Sequence, residues 1–157
     1  MVSVNEENLD AAAEIHAATW QESHRAFCSE AFVKQHTAAR QKVYLEQEMH
    51  RGKRLYMLIK EIPVGIVSMK EELIDNLYVL PAEQHKGCGT ELLHFAMKAC
   101  EGKPRLWVLD NNVKAQALYR KYGFRETRKT KRLSDTLCEL EMEADGAVFM
   151  LSSWYAP

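Results

Sequence analysis

Residues 77–90 have the residue types that bind a phosphate group. The segment reads LYVLPAEQHKGCGT, in which an apolar strand stops at Pro81 and a loop containing Gly87 and Gly89 leads into a helix. Such a loop exposes backbone N–H groups at a helix N-terminus, where anions bind. Glycine lets the backbone approach a ligand closely. Glycines after a strand are also ordinary turn residues, and neither a nucleotide P-loop nor a dinucleotide fingerprint is present.

A second segment, residues 112–124, reads NVKAQALYRKYGF and predicts a short helix that carries a tyrosine hydroxyl. Asn112 is a favoured N-cap residue, and Gly123 is a favoured residue for ending a helix. Tyr119 has two interpretations, which the sequence leaves open. Its hydroxyl can give up a proton, and its ring can fill a core because Leu118 and Tyr122 lie near the same apolar stripe.

Taken together and in this order, the two segments resemble the GNAT acetyltransferase superfamily. The resemblance covers about residues 73–125 and weakens after Phe124. The matching motifs are Leu77-Tyr78-Val79-x-Pro81, Gln84-x-x-Gly87-x-Gly89 and Asn112-x-x-Ala115-x-x-x-Tyr119-x-x-x-Gly123-Phe124. The resemblance implies an N-acetyltransferase that uses acetyl-CoA and no metal, and that transfers the acetyl group directly to a primary amine in a ternary complex.

The resemblance also implies roles for individual residues. The strand end at Leu77, Tyr78 and Val79 should pair with the pantetheine arm of the cofactor. Asn112 should contact the cofactor arm, and Tyr119 should lie at the thioester as the general acid for the leaving thiolate. The pyrophosphate should bind the backbone N–H groups of Gln84, His85, Lys86, Gly87, Cys88, Gly89 and Thr90. Direct transfer needs no enzyme nucleophile, so Cys88 needs no covalent role.

The sequence offers one candidate for the general base. A lysine-like amine has a pKa of about 10.4 and must lose a proton before it attacks. Some family members carry a glutamate at the position that Leu73 holds here. Strand alternation places Leu73, Asp75 and Leu77 on one face, which makes Asp75 the candidate base, acting through a water molecule. The alternative for Asp75 is a solvent-facing carboxylate.

The elements around these segments predict a mixed α/β fold in one domain over residues 1–157. The sheet should be mostly antiparallel, with one splayed parallel pair formed by residues 73–79 and 105–109, and about four helices should flank it. One long second helix should begin after Ser29 and continue through Tyr44 and Leu45. Residues 146–157 should be a C-terminal strand or tail.

The composition favours a soluble cytoplasmic protein. The net charge is −1, with 46% hydrophobic and 27% charged residues, which gives no support for a nucleic-acid partner. The basic run over residues 125–132 is interrupted by Glu126 and predicts a solvated strand face. None of the four cysteines forms a CxxC pair, which speaks against a metal site. We expect no signal peptide, no membrane span and no membrane partner.

The acceptor and the oligomeric state stay open in the sequence. The acceptor, a small-molecule or peptide amine, should bind near residues 20–30, which include Trp20, His24 and Phe27, and near the C-terminal strands. Packing in the core explains Trp20 and Phe27 at least as well as an acceptor pocket does. An alternative function is a non-catalytic acyl-CoA-binding or sensing module on the same fold. The apolar segment 147–155 either pairs with a second copy in a homodimer or packs onto its own core. It is either the family's usual last strand or an addition.

Overall fold

The structure, a computed structural model, describes residues 1–26 and 28–145. Within these residues the fold is mixed α/β, with seven strands, mostly antiparallel, and five α-helices. The elements are β1 (Val2–Ser3), α1 (Leu9–His24), α2 (Glu30–Lys34), α3 (Ala38–His50), β2 (Arg54–Ile59), β3 (Pro63–Lys70), β4 (Leu73–Val79), α4 (Cys88–Ala99), β5 (Arg105–Leu109), α5 (Val113–Lys121), β6 (Phe124–Arg132) and β7 (Cys138–Ala144).

The chain forms two compact units. The first comprises residues 1–70 and 76–96, and the second comprises residues 71–75 and the chain from residue 97 onward. Strand β4 is therefore shared, since residues 73–75 belong to the second unit and residues 76–79 to the first.

The first unit has an antiparallel sheet in the order β1-β2-β3-β4. Helices α1 and α3 supply the apolar cover, because their apolar residues recur at helical spacing and so share one face. The core that results contains Val4, Leu9, Ala12, Ala13, Ile15, Leu45, Leu55, Met57 and Ile66. Tyr78 and Leu80, at the end of β4, pack against this core. The core thereby fixes the strand end that precedes the glycine loop.

Helix α4 lies close to β3 and β4. Leu92 and Leu93 are fully buried, and the Phe95 ring lies 4.7 Å from the Tyr56 ring of β2. Gly65 of β3 permits this approach. A Cβ atom at residue 65 would lie 2.8 Å from both Leu92 Cδ1 and the Tyr78 carbonyl oxygen. A glycine is therefore required where α4 and the end of β4 meet β3.

The second unit contains the parallel pair that the sequence predicts. Leu73 pairs with Arg105 and Ile74 with Leu106, while β5 and β6 each pair antiparallel with β7. Strand β6 is irregular between Glu126 and Thr130, where Arg128 has a φ of 73°. Most of β6 is exposed, which confirms that the basic run is a solvated strand face.

The prediction of one long second helix is wrong. The structure has two helices there, which raises the number of α-helices to five rather than about four. Ser29 caps α2, as predicted, by accepting a hydrogen bond from the Phe32 N–H at 3.3 Å. Thr37 has extended backbone angles and caps α3 in the same way, with the Arg40 N–H at 3.3 Å. This second cap begins a separate helix.

Two predictions fall on residues outside this description. Phe27 and the segment 147–155 lie there, so the single-domain boundary with its C-terminal tail stays a prediction. Among the described helices, none has both the length and the apolar character that a membrane crossing requires.

Candidate active site

The loop between β4 and α4 presents backbone N–H groups to a ligand. The first backbone hydrogen bond of α4 joins the Glu91 N–H to the Gly87 carbonyl at 3.0 Å. Among the described residues, none accepts a hydrogen bond from the N–H groups of Cys88, Gly89 or Thr90. These donors stand at the positive end of the α4 dipole, where anionic groups are stabilised.

The same loop has an unusual backbone. His85 has a φ of 62° and Gly87 a φ of 88°, both in the left-handed region. For a non-glycine residue this conformation costs about 1–2 kcal/mol. Such strain persists where the surroundings impose it, and it clusters at functional sites. Left-handed residues in a loop also turn successive N–H groups towards one anion.

Side-chain contacts before and after this loop help to fix its position within the first unit. Gln84 Nε2 donates to the Val79 carbonyl at 3.2 Å, and Thr19 Oγ1 approaches the same oxygen at 3.5 Å. Lys60 pairs with Glu91 at 2.5 Å, an interaction that raises the pKa of Lys60. The side chain of Gln84 thus positions the loop, a role beyond the backbone contact that the sequence predicts for it.

The end of β4 has one backbone edge bonded to β3 and one that points away from it. The Leu80 N–H donates to Val64 at 2.9 Å, and the Asn76 N–H donates to Ser68 Oγ at 3.2 Å. By strand alternation, the backbone groups of Leu77 and Val79 point away from β3. The Val79 carbonyl oxygen already accepts a hydrogen bond from the Gln84 side-chain amide. The predicted pairing of the pantetheine arm with Val79 would therefore use the Val79 N–H group.

Asn112 and Tyr119 both lie in the second unit. Asn112 caps α5 by accepting a hydrogen bond from the Ala115 N–H at 3.2 Å. Tyr119 is buried, and its ring centre lies 5.9 Å from that of Phe124. Burial raises the pKa of Tyr119 to about 12, so the hydroxyl keeps its proton at neutral pH.

Gln116 is a positioning residue that the sequence motifs do not predict. Its Nε2 donates to the carbonyl oxygens of Leu109 and Asp110, at 2.9 Å each, and its side chain is buried. These bonds tie α5 to the end of β5. The signal for this role is a glutamine one turn after a helix cap. The same spacing also occurs for glutamines on a helix surface, so the sequence does not distinguish the two cases.

Asp75, the predicted base, is exposed on β4. The burial of its neighbours follows the predicted alternation, since Ile74 and Asn76 are buried while Leu73 and Leu77 are partly buried. Exposure suits a carboxylate that acts through water and equally suits a surface carboxylate. Its role as base stays a prediction.

The first unit also contains a cavity of about 260 Å³ next to the end of β4. Its lining residues come from α1, α3, β4 and the turn before α3. They are His16, Trp20, His36, Arg40, Gln41, Tyr44, Asn76 and Tyr78. The sequence predicts an acceptor region around Trp20, which does line this cavity. The rest of the lining is set by tertiary packing and could not be read from local pattern.

Aromatic stacking organises the wall of this cavity. The Trp20 ring lies between two histidine rings, with centres 3.8 Å from His24 and 3.5 Å from His36. His24 Nδ1 lies 2.9 Å from the Trp20 carbonyl oxygen. Burial lowers the pKa of His24, and His36 adds to this effect against the raising effect of the Trp20 carbonyl. His16 meets the Tyr78 ring edge-on at 4.9 Å.

Comparison with known proteins identifies the family. Residues 51–126 match the sequence model of the acetyltransferase (GNAT) domain. Residues 51–126 therefore form a GNAT-like acetyltransferase domain. This confirms the family that the two motifs predict. The match includes the glycine loop, Asn112 and Tyr119, whereas α1, α2 and α3 lie outside it.

Solved structures confirm the fold of the GNAT domain. The PaiA N-acetyltransferase of Thermoplasma acidophilum, solved with coenzyme A, is 21% identical with a TM-score of 0.72, over 92% of this chain and 99% of that one. A GCN5-related N-acetyltransferase from Rhodopseudomonas palustris is 21% identical with a TM-score of 0.73, over 92% and 93% of the chains. YncA of Salmonella typhimurium, solved with acetyl-CoA, is 15% identical with a TM-score of 0.64, over 92% and 91%. No curated protein matches the chain in sequence.

The described part of the chain was compared with the side-chain arrangements that bind metal ions. Residues 1–26 and 28–145 contain no group of three or more histidine, cysteine, aspartate or glutamate side chains placed to hold a metal ion. All four cysteines are free thiols.

Proposed function

We propose that the GNAT domain transfers an acetyl group from acetyl-CoA to a primary amine by direct attack in a ternary complex. The observation that carries this proposal is the loop before α4. It combines the family's glycine motif with N–H groups at Cys88, Gly89 and Thr90 that no described residue uses. A helix start of this kind suits a pyrophosphate group.

A second observation, of the space beside the loop, supports this proposal. Gly87 has a φ of 88°, and no atom lies within 4 Å of the position that its Cβ would occupy. The N–H groups of residues 84–90 would hold the pyrophosphate, the end of β4 at residues 77–79 would hold the pantetheine arm, and Asn112 would contact that arm. When bound, acetyl-CoA supplies an acetyl group activated as a thioester.

Tyr119 would serve the leaving sulfur. With a pKa of about 12, its hydroxyl is protonated at neutral pH and is available as a donor. A free thiol has a pKa of about 8.5, which is lower than the pKa of the Tyr119 hydroxyl. Complete transfer of the tyrosine proton to a free thiolate is therefore unfavourable. We infer that the hydroxyl stabilises the developing negative charge by donating a hydrogen bond, with proton transfer following as the thiolate departs. Asp75, through a water molecule, is our candidate for accepting the amine proton.

The experiment is an amine-dependent thiol-release assay on the full chain, with the acetylated product identified by mass spectrometry. We expect acetyl-CoA consumption that depends on the amine and yields one acetylated product. Coenzyme A binding without acetylated product, across lysine peptides, amino acids, polyamines and amino sugars, would favour the sensing module instead. Failure to bind coenzyme A would contradict both functions.

We also propose a cytoplasmic location and a homodimer. Both proposals come from sequence alone, through the scattered cysteines and the apolar segment 147–155. That segment lies outside the described residues. Light scattering on the full chain and on a chain that ends at residue 146 tests the dimer, because deletion of the segment should give a monomer.

A further inference from the structure

The cavity in the first unit is lined by basic side chains and by no carboxylate. Arg40, His16 and His36 line it, and no aspartate or glutamate is among its lining residues. The first turn of α3, from which Arg40 projects, contains no acidic residue either. Its positive helix end therefore adds to the positive charge of Arg40.

Arg40 differs from neighbouring arginines in its pairing. In the same unit, Arg25 lies 3.8 Å from Glu22, and Arg51 lies 2.7 Å from Glu48. No carboxylate of the described residues forms an ion pair with Arg40. A guanidinium binds carboxylate or phosphate oxygens through two parallel hydrogen bonds, which makes an anionic group the natural partner.

The remaining walls of the cavity are aromatic or carry amide groups. Trp20, Tyr44 and Tyr78 supply aromatic surface, and Asn76 and Gln41 supply amide groups. The volume of about 260 Å³ lies below the roughly 300–1,000 Å³ of drug-sized pockets. The cavity therefore suits a compact molecule with an apolar part against the rings and a charge at Arg40.

The cavity adjoins the strand end that would hold the pantetheine arm. Asn76 and Tyr78 of β4 alternate with Leu77 and Val79, so the strand turns one set of side chains to the cavity. If β4 holds the arm, as the proposed function requires, a ligand in this cavity lies beside the donor. The cavity is then the acceptor site.

We propose, on the basis of that function, that the acceptor is a compact amine that also carries an anionic group, and that Arg40 binds this group. In the transfer, the amine nitrogen forms a bond to the acetyl carbon as the carbon–sulfur bond breaks. The amine loses one proton, the departing thiolate gains one, and the anionic group is unchanged. A polyamine would find no lining carboxylate for its additional ammonium groups.

The test compares paired acceptors with and without the anionic group. The pairs are alanine and alaninamide, phenylalanine and phenylalaninamide, and phosphoethanolamine and ethanolamine, with putrescine as the cationic acceptor. We would measure kcat/KM for acetyl transfer and, separately, binding of each compound by NMR in the presence of coenzyme A. We expect at least one anionic member to be preferred by about tenfold or more, the effect of a hydrogen-bonded charge. The amino acid pairs test a carboxylate, and the phosphoethanolamine pair tests a phosphate.

Variants assign the preference to Arg40. Arg40→Gln should bring the preference close to one, and Arg40→Lys should restore part of it. Arg51→Gln, after the other end of α3, is the matched control and should leave it unchanged. A preference for amides or putrescine, or an anion preference that survives in Arg40→Gln, would overturn the inference while leaving acetyl transfer intact.

The binding measurement separates the inference from the proposed function. If no compound is acetylated, the function is contradicted for this panel. Anion-selective binding that Arg40→Gln abolishes would still support the site. Absence of any such binding would overturn it.

Discussion

Tyr119 combines a buried aromatic ring with a hydroxyl group that could take part in catalysis. Its ring is buried near Phe124, and its hydroxyl has a pKa of about 12 because burial disfavours the anion. The hydroxyl is consequently protonated, and able to donate a hydrogen bond, at neutral pH. A substitution that keeps the ring and removes the oxygen separates the two properties.

We predict that Tyr119→Phe lowers kcat by about 10²–10⁴-fold, the range of general acid–base groups, with little change in coenzyme A affinity. The folded state should persist because the ring is retained. Tyr122→Phe, three residues along at the end of α5, is the control and should keep wild-type turnover. Wild-type kcat in Tyr119→Phe on a good acceptor would make Tyr119 a packing residue only.

The residues that the sequence identified are those with a fixed local motif. Asn112 is the predicted cap, and the helix that it begins contains Tyr119 as expected. Arg40, Tyr44 and Tyr78 could not be placed together in advance, because they come from α3 and β4 and meet only through tertiary packing. Their residue types are equally common on any surface.

Among the elements, β3, β4 and α4 meet at a contact that leaves little room for added volume. Gly65 is the point where a side chain would collide with Leu92 and with the backbone of Tyr78. Backbone atoms cannot yield as a flexible side chain can, so added volume must displace β4. The same strand end supports the proposed cofactor site.

We predict that Gly65→Ala lowers the free energy of unfolding by about 1–3 kcal/mol, the usual cost of overpacking. It should also weaken coenzyme A binding, because β4 would shift. Chemical denaturation and a coenzyme A titration measure the two effects. A Gly65→Ala protein as stable as the wild type would show that α4 adjusts without cost.

The missed break between α2 and α3 shows why helix boundaries are hard to read. Apolar residues on both sides of Thr37 favour one continuous helix, but α2 ends at Lys34 and the Thr37 side chain caps a second helix. Strands were easier to predict, because Pro81, Gly123 and the apolar runs mark their ends locally. The irregularity of β6 at Arg128 has no local signal, since the bulge depends on pairing with β7.

At the scale of the molecule, pH should act on stability through Glu141. This carboxylate is only 2% exposed and accepts hydrogen bonds from Thr127 at 2.5 Å and Arg105 at 3.1 Å. Lys129 lies 3.3 Å away. The Thr127 hydroxyl foremost, and then Lys129 and Arg105, hold the pKa of Glu141 below its ordinary value.

We predict that Glu141→Gln lowers the free energy of unfolding by about 1–3 kcal/mol at neutral pH, as expected for hydrogen bonds to a charged group. The unfolded chain binds this proton more tightly than the folded chain, so the stabilisation is present above the unfolded pKa of about 4.3. It is lost as pH falls through the lower folded pKa, and the two proteins should converge there.

Glu143→Gln provides the control for this measurement. Glu143 lies on the same strand and pairs with Lys103 at 2.5 Å, but its side chain is 32% exposed. Exposed pairs contribute about 0–1 kcal/mol, so this variant should resemble the wild type in urea unfolding between acidic and neutral pH. Equal losses in both variants would show that burial of Glu141 has no special effect.

Coenzyme A binding at the α4 N-terminus is the central claim, and calorimetric titration of the full chain tests it most directly. Gly89 is the second residue of α4, and Gly89→Glu would place a side chain and a negative charge at the proposed pyrophosphate site. Lys98→Gln, near the other end of α4, changes the net charge by the same amount and is the control. We predict that the wild type and Lys98→Gln bind coenzyme A alike, and that Gly89→Glu binds at least about tenfold more weakly. A folded Gly89→Glu protein with wild-type affinity, or a wild-type chain that does not bind coenzyme A, would contradict the claim.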